Sequence, residues 1–430
     1  MYSSGGFYPH ELEQSLRFND DDSAYLSFTP STDGTSLDTQ TFSFWVKRAN
    51  IGSTQFIIGG QVGGSFSSEI GFNSNDTFSF YTGEGRHITT NQVFRDPSAW
   101  YHIVAVYDST QATESNRLKL YVNGEEITSF SNATYPTQNT DSEIMKGGVP
   151  TRIGAKHTPA NHLDGYLAEV NFIDGQALDP TDFGEFKSGV WVAKSYTGTY
   201  GTNGFYLNFS DSSNIGDDLS GNGNDWTPNN LVATDVMPDV PENNFCTLNP
   251  LIKGGSETIS EGNLKFVGSS SARSYRLGTI GVGSDKYYFE VLANSVGSCS
   301  VGVGIGGGSY NDSMGKDNFS WSYESGTGNI RHNNADTSYG ATYTSGDIIG
   351  VALDCGAGTL VFYKNNASQG SYSISGHSSD NVYFCGFGDS SAVNSSTLLL
   401  NAGQDSSFAG NKTPQGNTDD NGVGDFYYAP

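Results

Sequence analysis

An acidic run near the start of the chain is the first candidate for chemistry. Asn19, Asp20 and Asp22 stand close together and carry side-chain oxygens, which are the ligands that a hard cation such as calcium prefers. A calcium site needs several such oxygens around one point. The alternative is an acidic turn that water solvates. Both interpretations stay open, and calcium is the candidate cofactor.

Paired carboxylates would make the chain a glycoside hydrolase, and the sequence lacks the pattern for them. Retaining enzymes hold two carboxyl groups about 5 Å apart, which acidic residues at alternate positions of one strand would supply. Glu169 stands alone between Ala168 and Val170. Glu125 and Glu126 are adjacent, so in a strand they point to opposite faces. We therefore expect no catalytic residue and a protein that is not an enzyme.

Aromatic side chains offer a second kind of chemistry, because their rings can stack on sugars. Strand alternation places Trp45 on the polar side of its segment, which favours a surface position. The alternative for each ring is packing against a second sheet. The candidate residues for carbohydrate or partner binding are Trp45, Tyr310, Trp321, Tyr323, Arg331 and Asn333.

The elements that must position these residues are strands. Apolar residues alternate with period two, as in Phe42, Phe44 and Val46, and the pair Asn123-Gly124 favours a two-residue hairpin. The 55 glycines and the 13% of aromatic residues are typical of short strands joined by tight turns. The sequence predicts an all-β protein of two antiparallel, jelly-roll-like β-sandwich domains in tandem.

Composition shifts set the expected domain boundaries. Glycine, asparagine and aspartate are dense after the first β-rich half, and a polar tail with an aromatic end follows the second. One strand within the connector is expected to return to the first sandwich. The predicted parts are an N-terminal arm (1–14), a first sandwich (15–190), a connector (191–243), a second sandwich (244–402) and a C-terminal tail (403–430).

Charge and cysteine content exclude several classes of function. The 21 basic and 46 acidic residues give a net charge of −25, which repels nucleic-acid phosphates. No apolar run reaches the ~18 residues of a membrane span, and the first residues lack a signal-peptide pattern. We therefore expect no nucleic-acid partner, no membrane insertion and no export signal. The four cysteines are expected to be reduced, with a disulfide in the second half as the alternative.

Several motifs of the first half occur in the order found in laminin-G-like domains. They are FSFWVK (42–47), WYHIVAVYD (100–108), LKLYVNG (118–124) and LDGYLAEV (163–170). This half resembles a laminin-G-like, concanavalin A-type lectin domain. The resemblance implies a jelly roll that binds glycan or protein, often with calcium. Because Asp164 lies near the closing strand, the implied metal ligands are Asn19, Asp20, Asp22 and Asp164.

The second half resembles a SPRY domain. The motifs that carry the resemblance are KYYFEV (286–291), GDIIGVALD (346–354) and GTLVFYKNN (358–366). SPRY domains are β-sandwich binding modules, so the resemblance implies that this half acts by binding. It does not indicate which ligand is bound.

The pairing of two binding-type sandwiches resembles virion proteins of marine tailed bacteriophages. Their openings, connectors and endings are similar to FNDDDSAYL (18–26), GNGNDW (221–226) and GDFYYAP (424–430). The resemblance implies a structural protein of a fibre, appendage or capsid surface, located in the virion, with other virion proteins and host-surface glycans as partners. The N-terminal arm is the expected anchor, and a homo-oligomer such as a trimer is compatible with a fibre. The alternatives are a capsid or tail decoration protein without glycan binding, and a polysaccharide depolymerase.

Overall fold

The computed structural model describes residues 7–61 and 67–430. The chain divides into two compact units, Met1–Asn244 and Phe245–Pro430. Strands dominate both units, as the alternation predicts. No helix within the described residues is long and apolar enough to cross a membrane.

The first unit contains strands β1 to β18 and three short 3-10 turns, at Glu114–Asn116, Pro180–Asp182 and Ala233–Asp235. Its strands are β1 Ser15–Phe18, β2 Tyr25–Phe28, β3 Thr39–Arg48, β4 Gln55–Gln61, β5 Ser67–Phe72, β6 Thr77–Thr82, β7 His87–Val93, β8 Trp100–Asp108, β9 Leu118–Val122, β10 Glu125–Glu126, β11 Phe130–Thr134, β12 Thr151–Ile153, β13 Gly165–Asp174, β14 Gly184–Lys187, β15 Val190–Ala193, β16 Phe205–Leu207, β17 Thr227–Asn229 and β18 Val236–Met237.

Two large antiparallel sheets form the first sandwich. Sheet A has the order β10-β9-β8-β3-β13-β1-β18, with β16 beside β13, and sheet B has the order β11-β7-β6-β5-β4-β12-β2-β17. Phe42, Phe44 and Val46 of β3 point into the core between the sheets. Ile70 and Phe80 enter the same core from sheet B. The alternation therefore predicts correctly which side of these strands is buried.

The predicted connector is part of the first unit. Strands β16, β17 and β18 pair with β13, β2 and β1, so residues from this stretch extend both sheets. The two-stranded hairpin β14-β15 is a further element, and Trp191 of β15 reaches the outer face of sheet A. There its indole N–H donates to Nδ1 of His102 at 3.0 Å. The sequence predicts that one connector strand returns to the first sandwich, whereas in the structure three strands do so.

A buried ion pair fastens the last connector residues to sheet A. Lys47 Nζ lies 2.8 Å from Asp239 Oδ2, and the two side chains are 1% and 0% exposed. Trp100 donates its indole N–H to the other Asp239 oxygen at 3.3 Å. Asn244 accepts a second bond from Lys47 at 2.7 Å. These contacts satisfy two charges that burial would otherwise make costly.

The second unit contains strands β19 to β31, which form sheets D and E. Sheet D has the order β19-β20-β31-β22-β27-β28-β29, and sheet E has the order β21-β30-β23-β24-β25-β26. The strands are β19 Thr258–Ser260, β20 Lys265–Val267, β21 Ser274–Val282, β22 Lys286–Ser295, β23 Cys299–Gly304, β24 Ser320–Glu324, β25 Asn329–His332, β26 Ala335–Ser338, β27 Ile348–Asp354, β28 Thr359–Lys364, β29 Ala367–Ser373, β30 Tyr383–Asp389 and β31 Thr397–Asn401.

The C-terminal tail packs on the outer face of sheet D. Phe408 is buried against Leu292 and Leu399, and both Tyr427 and Tyr428 pack on the same cluster. This contact explains why a polar tail ends in aromatic residues.

One carboxylate, Glu290 of β22, holds the end of that tail. Its two oxygens accept the backbone N–H groups of Tyr427 and Tyr428, each at 2.8 Å. Asn401 donates to it at 3.0 Å and Tyr288 at 3.2 Å. Burial raises the pKa of Glu290, and these four donors act against that rise.

The buried pair predicts that Asp239→Ala destabilises the first unit by about 3–5 kcal/mol, because Lys47 loses its counter-charge inside the protein. Urea unfolding of the whole chain, followed by tryptophan fluorescence, measures this, since four of the five tryptophans lie in the first unit. The matched control is Glu126→Ala, which breaks an exposed pair with Lys119 (3.3 Å) and should cost under ~1 kcal/mol. Equal losses in the two variants would contradict the role of the buried pair.

Candidate functional site

Three of the aromatic residues expected at a binding surface are buried. Trp45 does lie on the outer side of sheet A, as alternation predicts, but its side chain is 4% exposed. It stacks on His102 at 4.8 Å, and Trp191 of the covering hairpin packs on the other side of that imidazole. Trp321 and Tyr323 belong to the core of the second unit. The prediction of a surface position is therefore wrong for these three rings. The hairpin with Trp191 covers Trp45, and Trp321 and Tyr323 pack inside the second unit.

The other three members of that set, Tyr310, Arg331 and Asn333, are more exposed. Tyr310 is half-buried against Tyr275, with ring centroids 5.1 Å apart. Arg331 of β25 forms an ion pair with Asp336 at 2.8 Å. Asn333 is exposed in the β25-β26 turn, with φ at 49°. The structure therefore does not assemble the six residues into one site.

The four candidate calcium ligands lie at one end of the first sandwich, where the side chains of Asp20 and Asp22 accept hydrogen bonds from amide groups. Asn19 donates to Asp22 Oδ2 at 2.9 Å, and Asn50 donates to Asp20 Oδ2 at 3.3 Å. Burial raises the pKa of Asp20, which opposes its ionised form. Asp164 is buried beside them and turns its carbonyl toward the backbone N–H of Ala49 at 3.0 Å.

These contacts do not by themselves form a calcium site. Calcium takes six to eight oxygens, several of them from carboxylates. Among residues 7–61 and 67–430, no group of three or more His, Cys, Asp or Glu side chains is placed to hold a metal ion. Calcium binding at Asn19, Asp20, Asp22 and Asp164 therefore stays a prediction, and no step of the function is assigned to calcium.

The outer face of sheet B carries a row of polar and aromatic side chains that the sequence analysis missed. Adjacent positions in these strands, such as Ile70, Phe80 and Ile88, enter the core, so the row points away from it. Cross-strand register supplies one residue from each of the eight strands. In order across the sheet they are Thr134, His87, Tyr81, Glu69, Gly59, Arg152, Ser27 and Thr227.

The row contains two aromatic platforms on either side of a charged centre. Tyr81 and His87 stack at 4.1 Å with their planes 9° apart. Glu69 accepts from His157 at 2.9 Å. Near the other end, the Arg152 guanidinium lies over the Tyr25 ring at 5.7 Å. With strands about 4.8 Å apart, four strand spacings separate β6 from β2, or roughly 19 Å.

Hydroxyl and amide groups line the face next to the Tyr81–His87 platform. Ser79 and Thr89 are hydrogen-bonded at 2.9 Å across β6 and β7. Asn73 donates to Ser79 at 2.7 Å. Asn132, from β11, is exposed opposite Thr89. Burial and the charge of Glu69 raise the pKa of Tyr81, so its phenol stays a hydrogen-bond donor.

This arrangement can bind a sugar chain. A stacked aromatic pair offers a flat apolar surface to the C–H face of a pyranose, while hydroxyl, amide and charged groups beside it exchange hydrogen bonds with sugar hydroxyls. The feature could not be found from sequence, since its members come from eight segments.

A second polar cluster surrounds Glu169, the acid that stands alone in sequence. Glu169 lies at a bulge of β13 with φ at 51°, and bulges re-aim side chains. One of its oxygens meets His10 Nε2 at 2.5 Å and the Tyr206 hydroxyl at 2.7 Å. A cavity of about 190 Å³ opens here, lined in part by all three side chains.

The described part of the N-terminal arm contributes to the same cluster. His10 is bonded to Glu169, and Leu12 is 5% exposed, so the described part of the arm, residues 7–14, lies on the first sandwich. Residues 1–6 of the expected anchor lie outside the described residues. Glu242 adds a second carboxylate, and burial raises its pKa to about 7. The hydrogen bond to Glu169 raises the pKa of His10.

Family models match both halves of the chain. Residues 20–182 match Laminin_G_3, the concanavalin A-like lectin/glucanases superfamily, and residues 286–396 match the SPRY domain. The two matches confirm the resemblances drawn from the motifs and the all-β tandem architecture.

Curated relatives match over short stretches. The chain is 31% identical to the ATP-dependent RNA helicase DDX1 of Xenopus laevis over 128 residues, which cover 30% of this chain and 16% of the helicase. It is 33% identical to a probable ATP-dependent RNA helicase ddx1 of Dictyostelium discoideum over 92 residues, covering 21% and 12% of the two chains. The chain thus spans less than a fifth of either helicase.

Solved SPRY structures are similar to part of the chain. The SPRY domain of human HERC1 matches with 21% identity and a TM-score of 0.32, covering 36% of this chain and 96% of that domain. The TRIM65 PSpry domain matches with 18% identity and a TM-score of 0.29, covering 36% of this chain and 91% of that domain.

The cluster at Glu242 predicts that the first unit is less stable in mildly alkaline than in mildly acidic solution. A carboxyl whose folded pKa is raised from 4.5 to about 7 stabilises the fold while protonated. That contribution is complete at low pH and is lost as the pH rises through about 7. The raised pKa of His10 acts in the same direction.

Urea unfolding near pH 5 and near pH 8 measures the effect, with about 2 kcal/mol expected from Glu242 alone. The variant Glu242→Gln should lose less stability than the wild-type chain over the same interval, because the amide does not titrate. An identical pH dependence in the two proteins would refute the assignment.

Proposed function

We propose that this chain, which carries a concanavalin A-like lectin domain followed by a SPRY domain, is a surface component of a bacteriophage particle that adheres to host glycans. The fibre, an appendage and the capsid surface are the three locations that fit such a role. The chain acts by binding, and its partners are host-surface glycans and other virion proteins.

The part of sheet B around Tyr81 and His87 carries the glycan part of the proposal; residues 155–157 cover the sheet at Gly59, and Glu69 is buried. The Tyr81–His87 platform is half-exposed and lies among hydroxyl and amide side chains. Sheet A has no comparable face, because the hairpin with Trp191 and the segment with Asp239 cover it. A ligand of the first sandwich therefore meets polar groups and one aromatic stack, a combination that suits a neutral or amino-bearing sugar chain.

The virion part of the proposal rests on the motif resemblance and on charge. The openings, connectors and endings of the chain resemble those of tailed-phage virion proteins, and none of the relatives reported above tests that point. A net charge of −25 favours solubility of a protein displayed on a particle. It also keeps the chain away from packaged nucleic acid.

Glycan binding is tested with the purified whole chain on arrays of bacterial surface polysaccharides. Tyr81→Ala should weaken binding at least ~10-fold, because it removes the stacking surface, a loss of about 1.4 kcal/mol. The matched control Tyr287→Ala removes a tyrosine that is 41% exposed in the second unit and should bind like the wild-type chain. Binding that survives Tyr81→Ala places the sugar elsewhere, whereas no binding at all favours a decoration protein, and released reducing sugar favours a depolymerase.

The location is tested separately, by immunogold labelling of purified phage particles with antibody to this chain. We expect label on the outside of intact particles, at the fibre, an appendage or the capsid. Particles that lack the chain would overturn the virion assignment and leave the glycan assignment standing.

A further inference from the structure

Two thiols of the second unit lie in contact. The Sγ atoms of Cys246 and Cys385 are 3.7 Å apart, although 139 positions separate the residues. Both residues are partly exposed, whereas Cys299 and Cys355 are buried. All four are reduced in the structure.

An irregularity in strand β21 brings the two thiols together. The register of β21 with β30 shifts between Leu277 and Gly281, and Cys385 lies in β30 opposite that shift. On the other side, the segment after Cys246 runs along the bulged residues, with a bridge from Leu248 to Gly278. Cys246 is thus held at one edge of β21 and Cys385 at the other.

Gly278 is the residue between them. A Cβ atom at this position would lie 2.5 Å from the sulfur of Cys246 and 2.6 Å from that of Cys385. A side chain there would occupy the space in which the two sulfurs meet. The glycine therefore has a steric role at the thiol pair.

The surroundings give the thiols different reactivities. Cys246 Sγ accepts the backbone N–H of Ile280 at 3.4 Å and lies 3.6 Å from the carbonyl oxygen of Thr247. The hydrogen bond with Cys246 and burial keep the pKa of Cys385 well above its usual range. Because Cys246 is the sulfur that accepts the backbone N–H of Ile280, the first attack is assigned to it and the second to Cys385.

We propose that Cys246 and Cys385 are a redox pair that closes to a disulfide when the protein meets a small-molecule disulfide such as oxidised glutathione. The Cys246 thiolate attacks one sulfur of the oxidant, and one glutathione thiolate leaves. Cys385 then gives its proton to solvent and attacks the Cys246 sulfur, which expels the second glutathione. Two electrons pass from the protein thiols to the oxidant, and the sulfurs move from 3.7 Å to a bond of about 2.05 Å.

The bond would fasten the first residues of the second unit to one of its last strands. Such a link constrains the unfolded chain, and the constraint grows with the length of the closed loop. The expected result is a second unit that melts at a higher temperature after oxidation. This inference does not depend on what either unit binds.

The test uses the whole chain incubated with oxidised glutathione and then denatured for maleimide labelling. Labelled thiols should fall from four to two, and peptide mapping should join the peptides that contain Cys246 and Cys385. The melting temperature of the second unit should rise by several degrees and return after reduction. Four labelled thiols, or a link that involves Cys299 or Cys355, would overturn the proposal.

Matched variants separate the link from general effects of oxidant. Cys385→Ser should abolish both the crosslink and the rise in melting temperature, while Cys355→Ser should keep them. Gly278→Ala should slow closure, because the added methyl group lies between the sulfurs. Should a serine variant fail to fold, the peptide map of the wild-type chain still decides the outcome. Rapid closure in Gly278→Ala would contradict the steric role of the glycine.

Discussion

Each sandwich depends on covering the outer face of one of its sheets. An antiparallel sheet can leave one face in water, but apolar side chains or a buried charge on an outer face need a cover. In the first unit, chain from residues 183–244 covers sheet A, and in the second, residues 403–428 cover sheet D. Beneath each cover lies a charged group that the cover helps to satisfy. Lys47 requires Asp239, and Glu290 requires the backbone N–H groups of the tail.

This division of faces decides where the first unit can meet a ligand. Sheet A is closed by the covering segments, so its aromatic side chains contribute to stability. Sheet B leaves the Tyr81–His87 stack partly exposed on its outer face, although residues 155–157 cover the sheet at Gly59. The proposed binding surface on sheet B and the covered surface on sheet A therefore lie on opposite sides of one sandwich. A substitution on the outer face of sheet B is expected to leave the covered face of sheet A intact.

Sequence patterns predict some of these features well and others poorly, for physical reasons. Alternation in β3 places Phe42 and Phe44 in the core because side chains alternate between faces. The same alternation places Trp45 outside, yet it is buried, since periodicity gives the side of a strand and not what covers that side. The row through Tyr81 depends on register among eight strands, which local sequence does not encode. The acidic run at Asp20 supplies oxygens, but neighbouring amides bond to them.

The excess of acids over bases is also part of the architecture. With 46 acidic and 21 basic residues, most carboxylates cannot find a cationic partner. Asp174 instead accepts the backbone N–H groups of Thr35 at 2.6 Å and Asn203 at 2.9 Å. Asp218 accepts the backbone N–H groups of Ser220 and Asn224 in its own loop and of Tyr206 in β16. Because glycine- and asparagine-rich loops leave many N–H groups without a strand partner, they provide the donors that these carboxylates need. High loop content and high negative charge thus stabilise each other, and the charge that remains at the surface is smaller than the composition alone indicates.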